Sequence, residues 1–208
     1  YDLSYVRRVL GNVQFDYKMH FLPELRANLN LGYDYSDSNG SQMVLPTAAM
    51  AYYRKGSDRR YTQEKKNKLL EFYLNYTKNI ESINSLVDLT AGYSYQDWQR
   101  SEPFAPTHFG DGTSDPSTGI DVFTQNTLIS YFARLNYTFN NKYLLTGSIR
   151  RDASSRFSED NRVGYFPSAA LAWRLDQEDF IKNTNVFSTL KLRAGWGQTG
   201  QQDINGGD

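Results

Sequence analysis

LRANLNLGYDYS, residues 25–36, decides what kind of fold this chain adopts. Leu25, Ala27, Leu29, Leu31, Tyr33 and Tyr35 share one parity, and Arg26, Asn28, Asn30, Gly32, Asp34 and Ser36 share the other. Successive side chains of a strand point to opposite faces, so this spacing predicts a strand with one apolar and one wet face. The pattern recurs at Val9–Met19, Leu70–Tyr76, Val87–Tyr95, Ile129–Phe139, Tyr143–Ile149, Ala169–Leu175 and Leu190–Trp196. With 25–36 these make eight strands, an all-β reading.

The connections alternate in length. Short ones fall at 20–24 (HFLPE), 78–82 (KNIES) and Asn140-Asn141, the last a good tight-turn pair. Long polar ones fall at 37–61, 98–124 and 152–163. Short-long-short-long is the layout of an up-and-down outer-membrane barrel. Residues 176–188 break the rule by being long, and Gln177–Lys182 reads as a helical turn.

The aromatics are sorted along the apolar parity. Phe15, Tyr17, Tyr76, Tyr137, Phe139, Tyr143 and Trp173 lie beside the short turns; Tyr33, Tyr35, Tyr93 and Tyr95 lie at the opposite strand ends. Two girdles flanking a band of Leu, Val and Ala match a lipid-facing surface. A soluble sandwich has no reason to sort rings to both ends of a buried face. Arg151 also falls on the apolar parity. At a rise of ~3.3 Å per residue and a tilt of ~45° it sits near the edge of the membrane band. There an outward Arg costs about 0–1 kcal/mol rather than the roughly 2–4 of the midplane.

Composition agrees. The 208 residues carry 23 basic and 23 acidic side chains, so no nucleic-acid footprint is expected. With no cysteine there is neither a disulfide framework nor a thiolate site. Mean hydropathy is −0.66, and no apolar run is long enough for a transmembrane helix. YDLSYVRRV lacks a signal-peptide layout, which leaves a cytoplasmic protein or an internal piece of a longer chain.

Residues 142–204 carry a denser signature: Arg151-Asp152, Ser154-Ser155-Arg156-Phe157, Asn161-Arg162, Gly164, Phe166-Pro167-Ser168, Trp173-Arg174, Leu190-Lys191-Leu192-Arg193, Gly197 and Thr199-Gly200. This resembles the carboxy-terminal half of the SusC/RagA family of TonB-dependent outer-membrane transporters. Ala153 stands where the family often has Gly, and Gln201-Gln202 where Asn-Gln is common. Residues 1–141 match only in general strand character. The resemblance implies a plugged barrel of the 22-stranded class, placed in the cell outer membrane among its lipids. Import would be driven by an inner-membrane TonB complex, with a SusD-like surface lipoprotein as lid and oligosaccharides or peptides as substrates. The plug and TonB-contact segment lie amino-terminal in the family and match nothing here. Residues 1–208 therefore read as one partial β-barrel domain, with no enzymatic activity and no cofactor expected.

Other patterns carry less. Gly195, Gly197 and Gly200 fit G-x-G-x-x-G after a strand, but QQDINGGD does not form the helix a dinucleotide site needs. Asp111, Asp115 and Asp121 offer oxygen ligands in a Gly-rich segment, without EF-hand spacing, and read as part of a polar loop. His20 and His108 are isolated and read as loop-surface residues; no metal site is expected. Asp16, Asp34 and Asp88 sit on the wet parity and are expected to pair with Arg and Lys. Trp98, Phe104, Phe109 and Phe123 flank the 98–124 loop and are the candidates for stacking on a sugar ring or packing against a lipoprotein lid, with internal packing of the loop as the plainer reading. Two other readings stand beside the importer: a self-contained eight-stranded barrel acting as adhesin or structural protein, and a soluble β-sandwich carbohydrate-binding module.

Overall fold

The computed structural model describes residues 1–119, 121–183 and 186–200. Eight long strands form where alternation predicts them: β1 (Asp2–Lys18), β2 (Leu25–Val44), β3 (Ser57–Ile80), β4 (Ser85–Glu102), β7 (Val122–Phe139), β8 (Tyr143–Ser154), β9 (Val163–Arg174) and β10 (Lys191–Gly197). Two short strands, β5 (Thr107–Phe109) and β6 (Ser114–Asp115), lie in the segment read as a loop. The sheet order is β1-β2-β3-β4-β7-β8-β9-β10, with β5 paired to β3 and β6. Each long strand therefore neighbours the long strand before it.

The turns follow local chemistry. Asn140 and Asn141 both adopt the left-handed conformation, at φ 51° and 54°, and Lys142 N–H donates to Phe139 C=O at 3.0 Å. Two such residues make the primed turn whose twist suits a hairpin, and asparagine tolerates it. Asn84 (φ 45°) closes the β3–β4 turn in the same way, its N–H donating to Glu81 C=O at 3.1 Å. The anomalous 176–188 segment contains 3-10 and α-helical turns at Leu175–Gln177 and Asp179–Lys182, close to the expected helical turn.

The main departure is in strand length. The 37–61 connection shrinks to residues 45–56, because β2 runs on to Val44 and β3 begins at Ser57. Both faces of these extensions are polar, so alternation fades while backbone pairing continues. The segment after β4 is also more ordered than a plain loop. Ser57 pairs with Phe109 and Asp58 with His108, while Thr107 pairs with Asp115. His108 is thus an exposed strand residue, and His20 lies in a turn with its Nδ1 2.6 Å from the Tyr17 hydroxyl.

The chain divides into two compact units. The first comprises Tyr1–Val13, Leu31–Leu69 and Gln96–Thr127, the long-loop portions of β1–β4 with β5, β6 and the start of β7. The second comprises Gln14–Asn30, Leu70–Tyr95 and the chain from Leu128 onward, which includes all of β8, β9 and β10. Among the described residues Leu128 is the only buried hydrophobic side chain, whereas the buried polar group includes Asn28, Ser85, Ser94, Asp97, Ser130, Ser154 and Asp176. A water-soluble sandwich inverts that balance, since burial of apolar surface is what drives it to fold.

Pro167 is the fifth residue of β9, and it determines where β10 ends. Its carbonyl accepts from Gln198 N–H at 3.0 Å, in step with the neighbouring Ser168–Gly197 pair. In an antiparallel ladder such a pair exchanges two bonds, and proline has no N–H to return the second. Pairing stops at Gly197, and Gln198–Gly200 leave the ladder.

Candidate functional site

The outward face of the second unit carries the two girdles. At the turn end, Phe139 pairs with Tyr143 and Tyr143 with Trp173; their ring centroids are 6.3 and 6.1 Å apart in stacked orientation. At the loop end, Arg151 is registered between Tyr131 and Tyr165, its guanidinium 5.9 Å from the Tyr131 ring centre. Tyr93 adds a further ring 5.2 Å from Tyr131. Tyr143 and Arg151 lie eight residue steps apart on β8, roughly 26 Å along the strand at ~3.3 Å per residue. Between the girdles Leu145, Ile149 and Leu171 are about half exposed. The spacing and polarity are those of an apolar band between aromatic belts.

The opposite face is a hydrogen-bonded wall. In the second unit the Asp88 carboxylate accepts from Thr77 Oγ1 at 2.9 Å, Asn75 Nδ2 at 3.2 Å and Asn136 Nδ2 at 3.3 Å. Thr146 Oγ1 donates to Asn136 at 3.0 Å, and the Ser148 and Ser168 hydroxyls lie 2.7 Å apart. Asp16 pairs with Arg26 at 3.1 Å, and in the first unit Asp34 pairs with Arg8 at 2.8 Å. Both follow the expected pairing with a cation. Asp88 departs from it, being held by amides and a hydroxyl instead. Gly92 allows two rings to cross this face: a Cβ there would stand 2.6 Å from Tyr73 Cβ and 2.7 Å from Phe132 Cζ.

The signature residues gather at the loop end of β8 and β9. A cavity of about 390 Å³ is lined there by Arg150, Asp152, Ser154, Phe157, Asn161, Arg162, Gly164, Phe166, Thr199 and Gly200, among others. Arg150 donates to Asp152 at 2.7 Å and to the buried Ser130 hydroxyl at 2.9 Å. Ser154 N–H donates to Arg162 C=O at 3.0 Å, closing the β8–β9 loop, and Arg162 Nε donates to Phe157 C=O at 3.2 Å. The Phe166 ring covers Gly164 and Gly200; a Cβ on Gly164 would stand 2.6 Å from Phe166 Cζ.

Not every signature residue reaches this cavity. Arg151 points outward into the aromatic row. Ser155 and Arg156 lie in the loop, where Arg156 N–H donates to Ser154 Oγ at 3.4 Å. Pro167 and Gly197 act through the backbone, as described. Trp173 and Arg174 belong to the turn end. Gln201-Gln202 lie outside the described residues. Arg150, which the signature omits, lines the cavity together with the signature's Arg162; its even parity, shared with Asp152, was the available signal.

That turn end has its own cluster. Glu178 accepts from Tyr143 Oη at 2.9 Å, Trp173 Nε1 at 3.0 Å and Lys142 Nζ at 3.0 Å. These donors, the indole first, hold its carboxyl below the usual carboxylate range. The buried Asp176 is lowered likewise, by Gln177 Nε2 at 2.7 Å and then Arg174 at 3.1 Å.

The loop aromatics do not converge on one site. Phe104 lines a cavity of about 640 Å³ in the first unit with Tyr5, Tyr61 and Arg60, partners that the sequence did not reveal. Phe109 lies beneath the Arg54 guanidinium, 4.2 Å from ring centre. Trp98 and Phe123 are exposed on their strands. Asp97, unremarked in the sequence, is 2 % exposed and accepts from Thr127 Oγ1 at 2.8 Å and Gln125 Nε2 at 3.0 Å. Asp111 and Asp115 each cap their own turn, accepting from Thr113 and Ser117, whose side-chain and backbone donors lower both carboxyls. Among the described residues no group of three or more His, Asp or Glu gathers to hold a metal.

The fold and its two faces define a segment of an antiparallel barrel wall. Residues 1–207 match the model of the TonB dependent receptor-like, beta-barrel family, and the chain belongs to that family. It is 41% identical over 201 residues to the TonB-dependent receptor SusC of Bacteroides thetaiotaomicron, covering 94% of this chain and 20% of that protein. To the TonB-dependent receptor P3 of Formosa agariphila it is 37% identical over 152 residues, covering 67% of this chain and 15% of that one. The chain thus spans about a fifth or less of these relatives. A structure of the RagAB peptide transporter superposes with a TM-score of 0.79 at 20% identity, covering 98% of this chain and 24% of that one. Similarity therefore reaches well beyond 142–204, into strands whose sequence showed only general character.

Proposed function

We propose that this chain is barrel wall and surface loops of a TonB-dependent importer in the outer membrane of a Gram-negative cell. It works with a SusD-like surface lipoprotein and takes up oligosaccharides or peptides. The observation that carries the reading is the outward face: an apolar band between two aromatic rows, left uncovered in a sheet with almost no buried hydrophobic residue. Lipid supplies the missing apolar contact. Kinship with SusC and the RagAB likeness support the substrate classes and the lipoprotein. The polar wall lines the lumen, and the exposed edges of β1 and β10 receive further strands of the barrel. In this reading TonB moves a plug contributed from elsewhere in the protein, and ligand descends past the wall. The wall's part is to present satisfied polar groups that neither trap the ligand nor collapse on it.

The test uses the full-length protein in cells. A short acceptor tag goes into Ser158–Asn161 in one strain and beside Asn140–Asn141 in another. An impermeant reagent should label the first on intact cells and the second only after lysis. Labelled oligosaccharide or peptide should enter only with TonB present, and the lipoprotein should co-purify. Intact-cell labelling at both sites or neither, or uptake independent of TonB, would overturn the proposal.

A further inference from the structure

The β9–β10 connection breaks the short-turn rule, and its contacts explain the extra length. Glu178 lies within it, yet its carboxylate is bonded to Tyr143 Oη and Trp173 Nε1. Those rings belong to the outward girdle, so the connection folds onto that face at Glu178. The helical turn Asp179–Lys182 follows directly. Phe180 there is 63 % exposed, and Val186 and Phe187 further on are 71 % and 52 % exposed.

Charge in the segment is largely matched. Lys142 neutralises Glu178, and Arg174 neutralises Asp176, at 3.0 and 3.1 Å. Asp179 and Lys182, the two ends of the helical turn, are both exposed and of opposite charge. Apolar side chains on a short polar frame, hooked to a girdle that already marks the headgroup boundary, fit the interfacial layer of a bilayer. From these contacts we infer that the start of the β9–β10 connection is an interfacial anchor: Glu178 is the hook, and Phe180 enters the boundary between headgroups and acyl chains of the inner leaflet. The occupant of this surface is lipid, because the patch is continuous with the lipid-facing girdle. The inference rests on the membrane-barrel reading above.

The experiment takes the full-length protein in phosphatidylethanolamine–phosphatidylglycerol vesicles, with background labelling measured on the parent. Single variants Phe180→Cys, Leu145→Cys and Ser158→Cys carry an environment-sensitive fluorophore, and folding is checked by heat-modifiable gel mobility. Nitroxide lipids labelled near the headgroup should quench the probe at 180, while aqueous iodide should not. Residue 145 should respond to deep nitroxides and residue 158 to iodide. Adding Glu178→Gln to Phe180→Cys should abolish lipid quenching at 180 and leave 145 unchanged. Quenching at 180 by iodide alone, with 145 still lipid-quenched, would overturn the anchor and spare the barrel. Loss of lipid quenching at 145 would overturn both. Lipid quenching at 180 that survives Glu178→Gln would overturn the hook.

Discussion

At the turn end of β8 and β9 the outward rings stack on one another and donate to a carboxylate; at the loop end they flank a cation. Phe139, Tyr143 and Trp173 make one continuous row, tied to Glu178 through a hydroxyl and an indole. Tyr131, Arg151 and Tyr165 make the other, with no carboxylate among them. In the proposed membrane reading both rows stand where a bilayer passes from hydrocarbon to headgroup. The first is held by directional bonds, the second by a charge over a ring face, which is weaker and more tolerant of movement. The tight end joins short turns. The looser end opens into the cavity around Arg150 and Phe166.

The band between the rows gives the largest expected effect. Gly147→Arg places a charge midway between the two rows, where an added side chain meets open space, and should cost about 2–4 kcal/mol of stability, read by urea unfolding in lipid vesicles. The same arginine already stands at 151, and removing it by Arg151→Ala should cost only about 0.5–1 kcal/mol. If the two variants behave alike, the assignment of centre and edge fails.

The tight end should be sensitive to acid. The folded-state pKa of Glu178 is lowered, so its stabilising contribution is fully present above the ordinary glutamate value of about 4.3 and is lost as pH falls through the lower folded value. Trp173 fluorescence in an otherwise tryptophan-depleted variant should therefore change below about pH 4. Glu178→Gln should remove that transition. An unaltered transition in the variant would place the titrating group elsewhere.

Much of this contrast was legible in the sequence. Parity alone assigned both rings and leucines to the outward face, and Asn140-Asn141 specified its turn. The cavity was not legible as a cavity, because its lining comes from β8, β9 and the chain after β10, which only the register brings together. Arg150 and Arg151 illustrate the limit. They are chemically identical neighbours, and only the pleat sends one to the polar wall and the other to the aromatic row. The extensions of β2 and β3 escaped for a different reason: with both faces wet, a strand has no hydrophobic period to betray it. Asp97 gave no sign of its burial, since two of its three donors, Gln125 and Thr127, lie far along the chain and only Gln99 is near.

The smallest effect sharpens the loop end. Pro167→Ala restores the donor missing from the ladder, so a reciprocal bond to Gln198 can form and lengthen β10. Amide exchange at Gln198 should slow in that variant, and the new amide at residue 167 should be protected, with little change in global stability. Exchange as fast as in the parent would mean that something other than the proline ends the strand.

The sheet order has a consequence for how the wall is made. Since each long strand pairs with the one before it, the wall can be laid down in the order of synthesis, one hairpin at a time. Most of its loops are short to close, and local pairing of this kind favours fast assembly. At every stage the growing edge is the strand just added, and the next template is always the most recent one. The exception is the step from β4 to β7, where β5 and β6 must be accommodated first. That step is where assembly is expected to pause.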